Sequence, residues 1–188
     1  MSLGVKLLTA MNKLFPAVEH PFNLQNEGKM SYAAWQYAKG DKTVECFAPR
    51  FTPEDIFAGK TVLDMGCGAS GKSLYYLSVG ADKVVGVDIV PHYKSEAEAF
   101  ARELGYEDRF TFILGDALHL PVEDNSFDVV IMNDFMEHIY DPERALLEAL
   151  RTLKQGGETL RQFPSVLSSH RHPYERCDRD PLGTYVLS

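Results

Sequence analysis

The pattern of hydrophobic and polar positions changes at about Lys60. From there to Phe163, short apolar runs alternate with segments of helical spacing; the runs are TVLDMG, DKVVGVDIV, RFTFILGDA, SFDVVIMND and a weaker ETLRQF. Apolar runs bounded by turn residues are typical of parallel strands that are buried on both faces. We predict helices between them at about residues 71–79, in YKSEAEAFARELGY and in PERALLEALRTLKQGG. This alternation predicts an α/β fold with a doubly wound, mainly parallel sheet.

The flanking segments lack this alternation. Residues 1–58 have helical spacing interrupted by prolines, so we expect an N-terminal helical cap that begins with an amphipathic helix in SLGVKLLTAMNKLF. Within it, GKMSYAAWQYAKG predicts one helix whose aromatic residues pack in the core or a lid. Residues 164–188 are polar and without clear periodicity, which indicates an irregular tail. The chain is thus predicted to be a single domain with its α/β part at residues 59–163.

Composition and net charge argue against nucleic-acid-binding, disulfide-rich, zinc-binding and membrane proteins. A chain of 188 residues fits one domain, and its net charge of −8 disfavours a nucleic-acid backbone as partner. The three cysteines are odd in number and widely spaced, so they predict neither a disulfide framework nor a zinc site, and a cytoplasmic location follows. No apolar run reaches the roughly 20 residues that span a bilayer, so we expect no membrane partner.

The stretch VLDMGCGASGKSLYYL fits two motifs with different meanings. Read from Gly66, it is G-x-x-x-x-G-K-S, in which Lys72 and Ser73 would serve the phosphates and magnesium of a nucleotide triphosphatase, with Asp134 as a metal ligand. Read from Asp64, it is D-x-G-x-G, a glycine turn that lets a small-molecule cofactor approach the backbone. The loop alone does not decide between the two.

The ends of the other predicted strands favour the second motif. Asp88 follows Gly66 by 22 positions, where a ribose-binding carboxylate is expected. The carboxylate of Asp116 and the backbone N–H of Ala117 are suited to the edge of an adenine. Asn133 ends the fourth strand. Because ligands of open parallel sheets bind beyond the carboxyl ends of the strands, these residues indicate an adenosine-type cofactor.

Taken in order, VLDMGCGASG, VVGVDIV and GDALHLPVEDNSFDVVIMNDFMEHIYDPERALLEALRTLKQGG resemble the class I S-adenosylmethionine-dependent methyltransferases. The turn FMEHI is similar to the Leu-Glu-His type turn of the small-molecule methyltransferases in that group. The resemblance spans Lys60 to Phe163. It implies a Rossmann-like fold, S-adenosyl-L-methionine as cofactor and methyl transfer to a small-molecule acceptor.

The resemblance also implies roles for individual residues. The backbone of Gly66, Cys67 and Gly68 would lie against the methionine part of the cofactor, and Asp64 would hold this loop and bind a water or the amino group. Asp88 would bind the ribose hydroxyls.

The remaining implied contacts lie on strands two to four. Ile89 would lie on the adenine face, Asp116 and Ala117 would bind the adenine edge, and the backbone of Asn133 would bind the amino group. On this interpretation Lys72 is a solvated surface lysine.

Some positions depart from the family pattern. Ser70 stands at the third glycine position, which is tolerable if its backbone angles are ordinary. The family sheet has seven strands, whereas only five are found, so strands six and seven are expected to be missing or truncated. An unpaired fifth strand would be an exposed edge, and we therefore expect a homodimer or poor solubility.

The acceptor side offers candidates for proton removal, of which we favour His138 and Asp134; Glu137 and His119 are weaker ones. Asp134, Glu137 and His138 could join His170 or His172 as metal ligands, but we predict no metal. Two alternatives to a methyltransferase stay open: a cofactor-binding module without catalysis and, with less support, the triphosphatase.

Overall fold

Five parallel strands form one sheet. The computed structural model describes residues 28–161, together with residues 4 and 11. The sheet has the strand order β3-β2-β1-β4-β5, and every neighbouring pair is parallel. The strands are β1 (Thr61–Met65), β2 (Lys83–Asp88), β3 (Phe110–Leu114), β4 (Phe127–Met132) and β5 (Leu153–Arg161). The predicted α/β fold with a parallel sheet is confirmed.

Helices connect the strands and precede them. They are α1 (Tyr32–Ala38), α2 (Gly40–Phe47), α3 (Pro53–Phe57), α4 (Gly71–Ser78), α5 (Pro91–Glu103), a 3₁₀ turn (Met136–His138) and α6 (Pro142–Thr152). Each crossover from one parallel strand to the next carries the chain back to the same end of the sheet. The carboxyl ends of β1, β2 and β4 therefore lie side by side, and the loops that follow them share one edge.

Alternate residues of the central strands face opposite layers. Leu63 and Met65 of β1 pack in a buried apolar cluster with Ala145 and Ala149 of α6. Asp64, between those two residues, faces α4, where it contacts Ser73. The continuous apolar runs of the sequence arise because both faces of the sheet are covered.

Two predicted helices differ from those observed. The segment GKMSYAAWQYAKG predicted one helix, but α1 ends at Ala38 and α2 begins at Gly40. Gly40 lies so close to Tyr75 that a side chain there would overlap with its ring. Trp35 is buried, as expected for a core aromatic residue.

The last helix is shorter than the sequence predicted. The prediction extended it to the paired glycines, whereas the observed helix α6 ends at Thr152 and the following residues belong to β5. Phe127 pairs with Leu153, whereas Val129 pairs with Glu158, so the extra residues form an irregularity in the strand. Both carboxylate oxygens of Asp128 accept hydrogen bonds from Lys154 Nζ, at 2.9 and 2.8 Å, which holds this irregularity against β4.

Several predictions fall on other parts of the chain. Contacts divide the chain into two compact units, Met1–Tyr32 and Ala33–Ser188, and the sheet lies in the second. Apart from residues 4 and 11, the predicted amphipathic helix lies outside the described residues, as do the tail at residues 164–188 and the region of any sixth or seventh strand. The boundaries at residues 58/59 and 163/164 stay predictions. Among the described residues, no helix has the length and apolar character to cross a membrane.

Two cysteines lie within the described residues. Cys67 is free and buried, whereas Cys46 is disulfide-bonded. The expectation that the cysteines form no disulfide framework stays a prediction, since the third cysteine lies outside the described residues.

Candidate functional site

The loop after β1 is fixed against the end of β2. The backbone N–H of Gly68 donates to Asp88 Oδ2 at 2.8 Å, and the N–H of Val90 donates to Asp88 Oδ1 at 2.9 Å. A carboxylate oxygen can accept more than one hydrogen bond, and each oxygen of Asp88 accepts one here. Asp88 is therefore held in one orientation at the carboxyl end of β2 while both of its oxygens keep acceptor capacity, which suits the two hydroxyls of a ribose.

A glycine without a side chain shapes the start of the same loop. Gly66 has a φ of +76°, and a Cβ at this position would overlap with the ring of Phe135. Phe135 itself is buried and follows β4. The motif predicted the glycine, but no sequence pattern predicted that the Phe135 ring lies against it.

Asp64 is buried beneath the loop. Its Oδ2 accepts a hydrogen bond of 2.6 Å from Ser73 Oγ in α4. Burial, the largest effect, raises the pKa of Asp64 to about 6, against the lowering influence of Ser73 and of the Lys72 charge. Among the described residues, Asp64 is thus anchored to α4 rather than to the loop it was expected to hold.

Lys72 is the clearest departure from the sequence interpretation. It is only 7% exposed, so the predicted solvated surface lysine is wrong. Its Nζ donates to Asp134 Oδ2 at 2.9 Å, and Asn133 Nδ2 donates to the same oxygen at 2.9 Å. The helix after the first strand and the end of the fourth strand are therefore joined by a charged contact.

Ser70 adopts the left-handed conformation. Its φ is +62°, so the condition of ordinary backbone angles at the third glycine position does not hold. The backbone N–H of Ser70 donates to Cys67 O at 2.9 Å, and Ser70 Oγ lies 3.2 Å from Cys67 Sγ. Burial raises the pKa of the Cys67 thiol, which is typical of a packing cysteine rather than a reactive one.

The residues expected around the adenine lie on neighbouring loops. Ile89 is 68% exposed directly after Asp88, which leaves its apolar surface open to a ligand. Asp116 Oδ1 accepts from the backbone N–H of Leu118 at 2.9 Å, so this carboxylate caps its own turn. Ala117 is buried. The roles of Ile89, Asp116 and Ala117 toward adenine stay predictions.

Three charged residues of α6 hold the loop that carries Asp116. Leu120 is bound twice, because its N–H donates to Glu148 Oε2 at 2.9 Å and its carbonyl accepts from Arg151 at 3.0 Å. Arg144 Nε donates to Leu118 O at 3.0 Å, and its Nη2 donates to Glu148 at 3.0 Å. This cluster was not predicted; its one signal in the sequence is the helical spacing of Arg144, Glu148 and Arg151.

The residues predicted to take up a proton from the acceptor do not form one hydrogen-bonded group in the part of the chain that is described. His138 has a side chain that is 75% exposed, and its Nε2 lies 4.0 Å from Glu137 Oε1. His119 is 70% exposed and lies 3.8 Å from Asp116. Asp134 is engaged through Oδ2 as described above. Within residues 28–161, no group of three or more histidine, cysteine, aspartate or glutamate side chains is arranged to hold a metal ion, and the other two histidines considered lie outside the described residues.

The geometry contradicts the triphosphatase alternative. A phosphate-binding loop needs free backbone N–H groups, but the N–H of Gly68 is taken by the Asp88 carboxylate. The N–H of Gly71, the first residue of α4, donates to Gln36 Oε1 at 3.2 Å. A carboxylate in this position would also repel a triphosphate.

Comparisons with known proteins agree with this geometry. Residues 63–160 match the family model for a methyltransferase domain. Norajmaline N-methyltransferase from Rauvolfia serpentina is 31% identical over 113 residues, which cover 60% of this chain and 37% of that protein. The chain spans about two fifths of the length of the curated relatives it matches.

The solved structures that share this fold include one protein named as a methyltransferase and one named as a cyclase. A Methanococcus maripaludis protein assigned as an S-adenosyl-L-methionine-dependent methyltransferase is 26% identical with a TM-score of 0.59, over 68% of this chain and 57% of that one. The [4+2]-cyclase SpnF is 29% identical with a TM-score of 0.56, over 65% of this chain and 43% of that one.

Proposed function

This chain belongs to the methyltransferase domain family, and from that premise we propose that it binds S-adenosyl-L-methionine and transfers the methyl group to a small-molecule acceptor. The observation that carries the proposal is the Asp88 carboxylate, which Gly68 and Val90 fix at the carboxyl end of β2 with acceptor capacity to spare. The two neighbouring hydroxyls of a ribose can each donate a hydrogen bond to one oxygen of such a carboxylate.

The residues present fit this cofactor. The exposed Ile89 offers an apolar surface next to Asp88 for a base. Asn133 Oδ1 is a buried acceptor with no hydrogen-bond partner among the described residues, so it can receive an N–H donor from a ligand. We propose Asp64, Gly66, Cys67, Gly68, Asp88, Ile89, Asp116, Ala117 and Asn133 as the cofactor-binding set.

When bound, S-adenosyl-L-methionine supplies an activated methyl group, so the protein needs no covalent chemistry of its own. It must align the acceptor, exclude water and, for a hydroxyl or amine acceptor, receive a proton. We propose His138 for the proton, because its imidazole lies in the turn after β4 and is 75% exposed, so an acceptor can reach it. Asp134 is the second candidate, although its Oδ2 already accepts from Lys72 and Asn133.

Calorimetric titration tests cofactor binding directly. We expect S-adenosylmethionine and S-adenosylhomocysteine to bind the full chain with micromolar dissociation constants, and ATP to bind far more weakly. A chain that binds neither adenosyl ligand below millimolar concentration would contradict the proposal.

A second candidate function is a binding module that uses the cofactor without methyl transfer. The similarity to SpnF favours it, since that protein has this fold and is named a cyclase. The two candidates differ in turnover. A methyltransferase converts labelled S-adenosylmethionine to S-adenosylhomocysteine when an acceptor from a small-molecule panel is added, whereas the module binds both and converts neither.

We propose a small-molecule acceptor and a homodimer. The net charge of −8 and the norajmaline in the name of the Rauvolfia serpentina relative support a small molecule rather than a nucleic acid. Within the described residues, β5 pairs on one side only, which supports the predicted homodimer through this edge. Light scattering at high protein concentration tests it, and a strict monomer would contradict it. A cytoplasmic location stays a prediction.

A further inference from the structure

Gln36 is a buried polar side chain that binds the glycine loop from the N-terminal part of the chain. It lies in α1, is only 7% exposed, and its Oε1 accepts a hydrogen bond of 3.2 Å from the backbone N–H of Gly71. Gly71 begins α4, and the first N–H groups of a helix have no partner within the helix. Ser70, at the N-cap of α4, makes no capping hydrogen bond with its side chain. Gln36 therefore supplies a capping acceptor that α4 does not supply itself.

The glycines of the loop give Gln36 the space that it occupies. A Cβ at Gly71 would overlap with the carbonyl oxygen of Ala33 and with the side chain of Gln36. Gln36 Nε2 lies 3.5 Å from the position that a Cβ of Gly68 would take. The side chain thus packs against two glycines of the motif, and α1 approaches the start of α4 as closely as a glycine allows.

The segment from Gly68 to Gly71 is held at both ends by side chains from other elements. Asp88 accepts from the N–H of Gly68, and Gln36 accepts from the N–H of Gly71. Between them, Ser70 has a φ of +62°, a conformation that costs free energy for a residue other than glycine and persists only where its surroundings fix it. The loop conformation is therefore expected to depend on both acceptors.

The helix that carries Gln36 is itself fixed against α5. The backbone N–H of Ala33 donates to Glu96 Oε1 at 3.1 Å. The ring of Tyr37 makes an edge contact with the ring of Phe100, with the centroids 5.8 Å apart. Because α1 contacts both α5 and the start of α4, the amide of Gln36 is presented to the loop from a packed helix.

We propose that Gln36 is a positioning residue of the cofactor site, which holds the segment from Gly68 to Gly71 in the conformation that receives the cofactor. It acts through the N–H of Gly71, as Asp88 acts through the N–H of Gly68. This inference rests on the proposed function. Since the contact is a hydrogen bond to one backbone donor, cofactor affinity depends on the acceptor atom at position 36 rather than on the volume of the side chain.

Two variants of Gln36 separate the acceptor atom from the volume. Gln36→Met keeps the length of the side chain but offers only a weak sulfur acceptor. By calorimetry, we expect it to bind S-adenosylhomocysteine about three- to tenfold more weakly, as for the loss of one hydrogen bond. Gln36→Glu keeps an oxygen acceptor at the N-terminus of α4, where a negative charge is favourable, and should recover most of the affinity.

Thr43→Val is the matched control. It removes a hydrogen bond of 3.0 Å from a buried hydroxyl to Lys39 O, which belongs to α2 and its N-cap and not to the loop. This variant should bind S-adenosylhomocysteine as the unaltered chain does. Equal affinities for Gln36→Met and Thr43→Val would overturn the inference, as would a Gln36→Glu variant that binds as weakly as Gln36→Met.

Hydrogen exchange distinguishes positioning of the loop from general stabilisation. In Gln36→Met the amide of Gly71 should exchange faster than in the unaltered chain, with the amides of β1 unchanged, and Gln36→Glu should restore it. Faster exchange throughout β1 would show that Gln36 stabilises the whole domain, which overturns the inference. If the unaltered chain does not bind S-adenosylhomocysteine below millimolar concentration, the proposed function fails, and this inference with it. Tight binding that Gln36→Met leaves unchanged overturns this inference alone.

Discussion

Asp88 at the end of β2 accepts a hydrogen bond of 2.8 Å from the backbone N–H of Gly68 in the loop after β1. One carboxylate thus orders the glycine loop and presents acceptor oxygens at the crevice between two neighbouring strands. Loop order and ligand binding are therefore expected to depend on the same side chain.

Replacement of this carboxylate should abolish tight cofactor binding. Asp88→Ala removes the acceptor for Gly68 and Val90 and for the ribose hydroxyls, and we expect S-adenosylhomocysteine to bind about 10- to 100-fold more weakly, since a hydrogen bond to a charged group contributes about 1.5–3 kcal/mol. Titration calorimetry measures the change. Asp82→Ala, at the amino end of the same strand, is the control and should bind as the unaltered chain does. Equal affinities for both variants would rule out Asp88 as the ribose ligand.

The contact between Gly66 and Phe135 predicts a stability effect. Gly66→Ala imposes a side chain on a left-handed residue and forces it against the Phe135 ring. We expect a loss of about 2–4 kcal/mol in the free energy of unfolding, from the sum of backbone strain and overpacking. Urea denaturation measures it.

Gly105→Ala separates the two contributions. Gly105 has a φ of +74° but open space around its position for a Cβ, so it should lose only about 1–2 kcal/mol. Adding Phe135→Ala to Gly66→Ala should couple favourably, because the smaller residue removes the overlap. Strictly additive losses in the double variant would show that the ring is not the obstacle.

The central strands and the cofactor-side acids could be predicted because their determinants are local. Strands β1, β2 and β4 are buried on both faces, so their sequences are apolar throughout, and the ends of parallel strands must meet at one edge of the sheet. Asp88 follows from the spacing of a motif that the backbone geometry imposes.

The features that were missed depend on distant partners. A helical lysine is usually solvated, and Lys72 is buried only because Asp134 meets it across 62 positions. The residues after Thr152 have helical character, but Asp128 and the pairing of β4 with β5 draw them into the strand. The contact of Phe135 with Gly66 is likewise set by tertiary packing. The hydrophobic periodicity of a segment does not specify contacts between residues that lie far apart in the chain.

The buried Asp64 predicts a pH dependence of stability. Desolvation raises the pKa of Asp64 to about 6 from an ordinary 3.8, so the folded chain binds this proton more tightly than the unfolded chain does. Its contribution to stability is complete below about pH 4 and is lost as the pH rises through 6. Asp64→Asn has no charge to lose. Relative to the unaltered chain, this variant should therefore gain a few kcal/mol in the free energy of unfolding between pH 4 and pH 7.

Urea denaturation of both chains across this pH range measures the difference. Ser73→Ala serves as the matched variant, because it removes the hydrogen bond to Asp64 and leaves the carboxylate. It should shift the pH window upward, since that hydrogen bond lowers the pKa of Asp64. Parallel stability curves for the unaltered chain and Asp64→Asn would show that Asp64 does not change protonation there.

Glu148 is expected to control the order of the loop before β4. Its carboxylate accepts from Leu120 N–H and from both Arg144 and Arg151, and the Arg151 hydrogen bond is the first cause that lowers the pKa of Glu148. We expect Glu148→Ala to lower the free energy of unfolding by about 2–3 kcal/mol, because it leaves a buried N–H and two guanidinium groups with fewer partners. Glu148→Gln keeps an acceptor and should lose less.

Hydrogen exchange at the Leu120 amide distinguishes a loop effect from a general loss of stability. In Glu148→Ala this amide should exchange much faster than the amides of β1, whereas Glu143→Gln, an exposed change in the first turn of the same helix, should leave both unchanged. Because the depressed pKa of Glu148 contributes stability above its ordinary value of 4.5 and loses it as the pH falls, the difference between Glu148→Gln and the unaltered chain should shrink in acid. A uniform rise in exchange across the sheet would instead indicate that Glu148 stabilises the whole domain and does not act on the loop that carries Asp116.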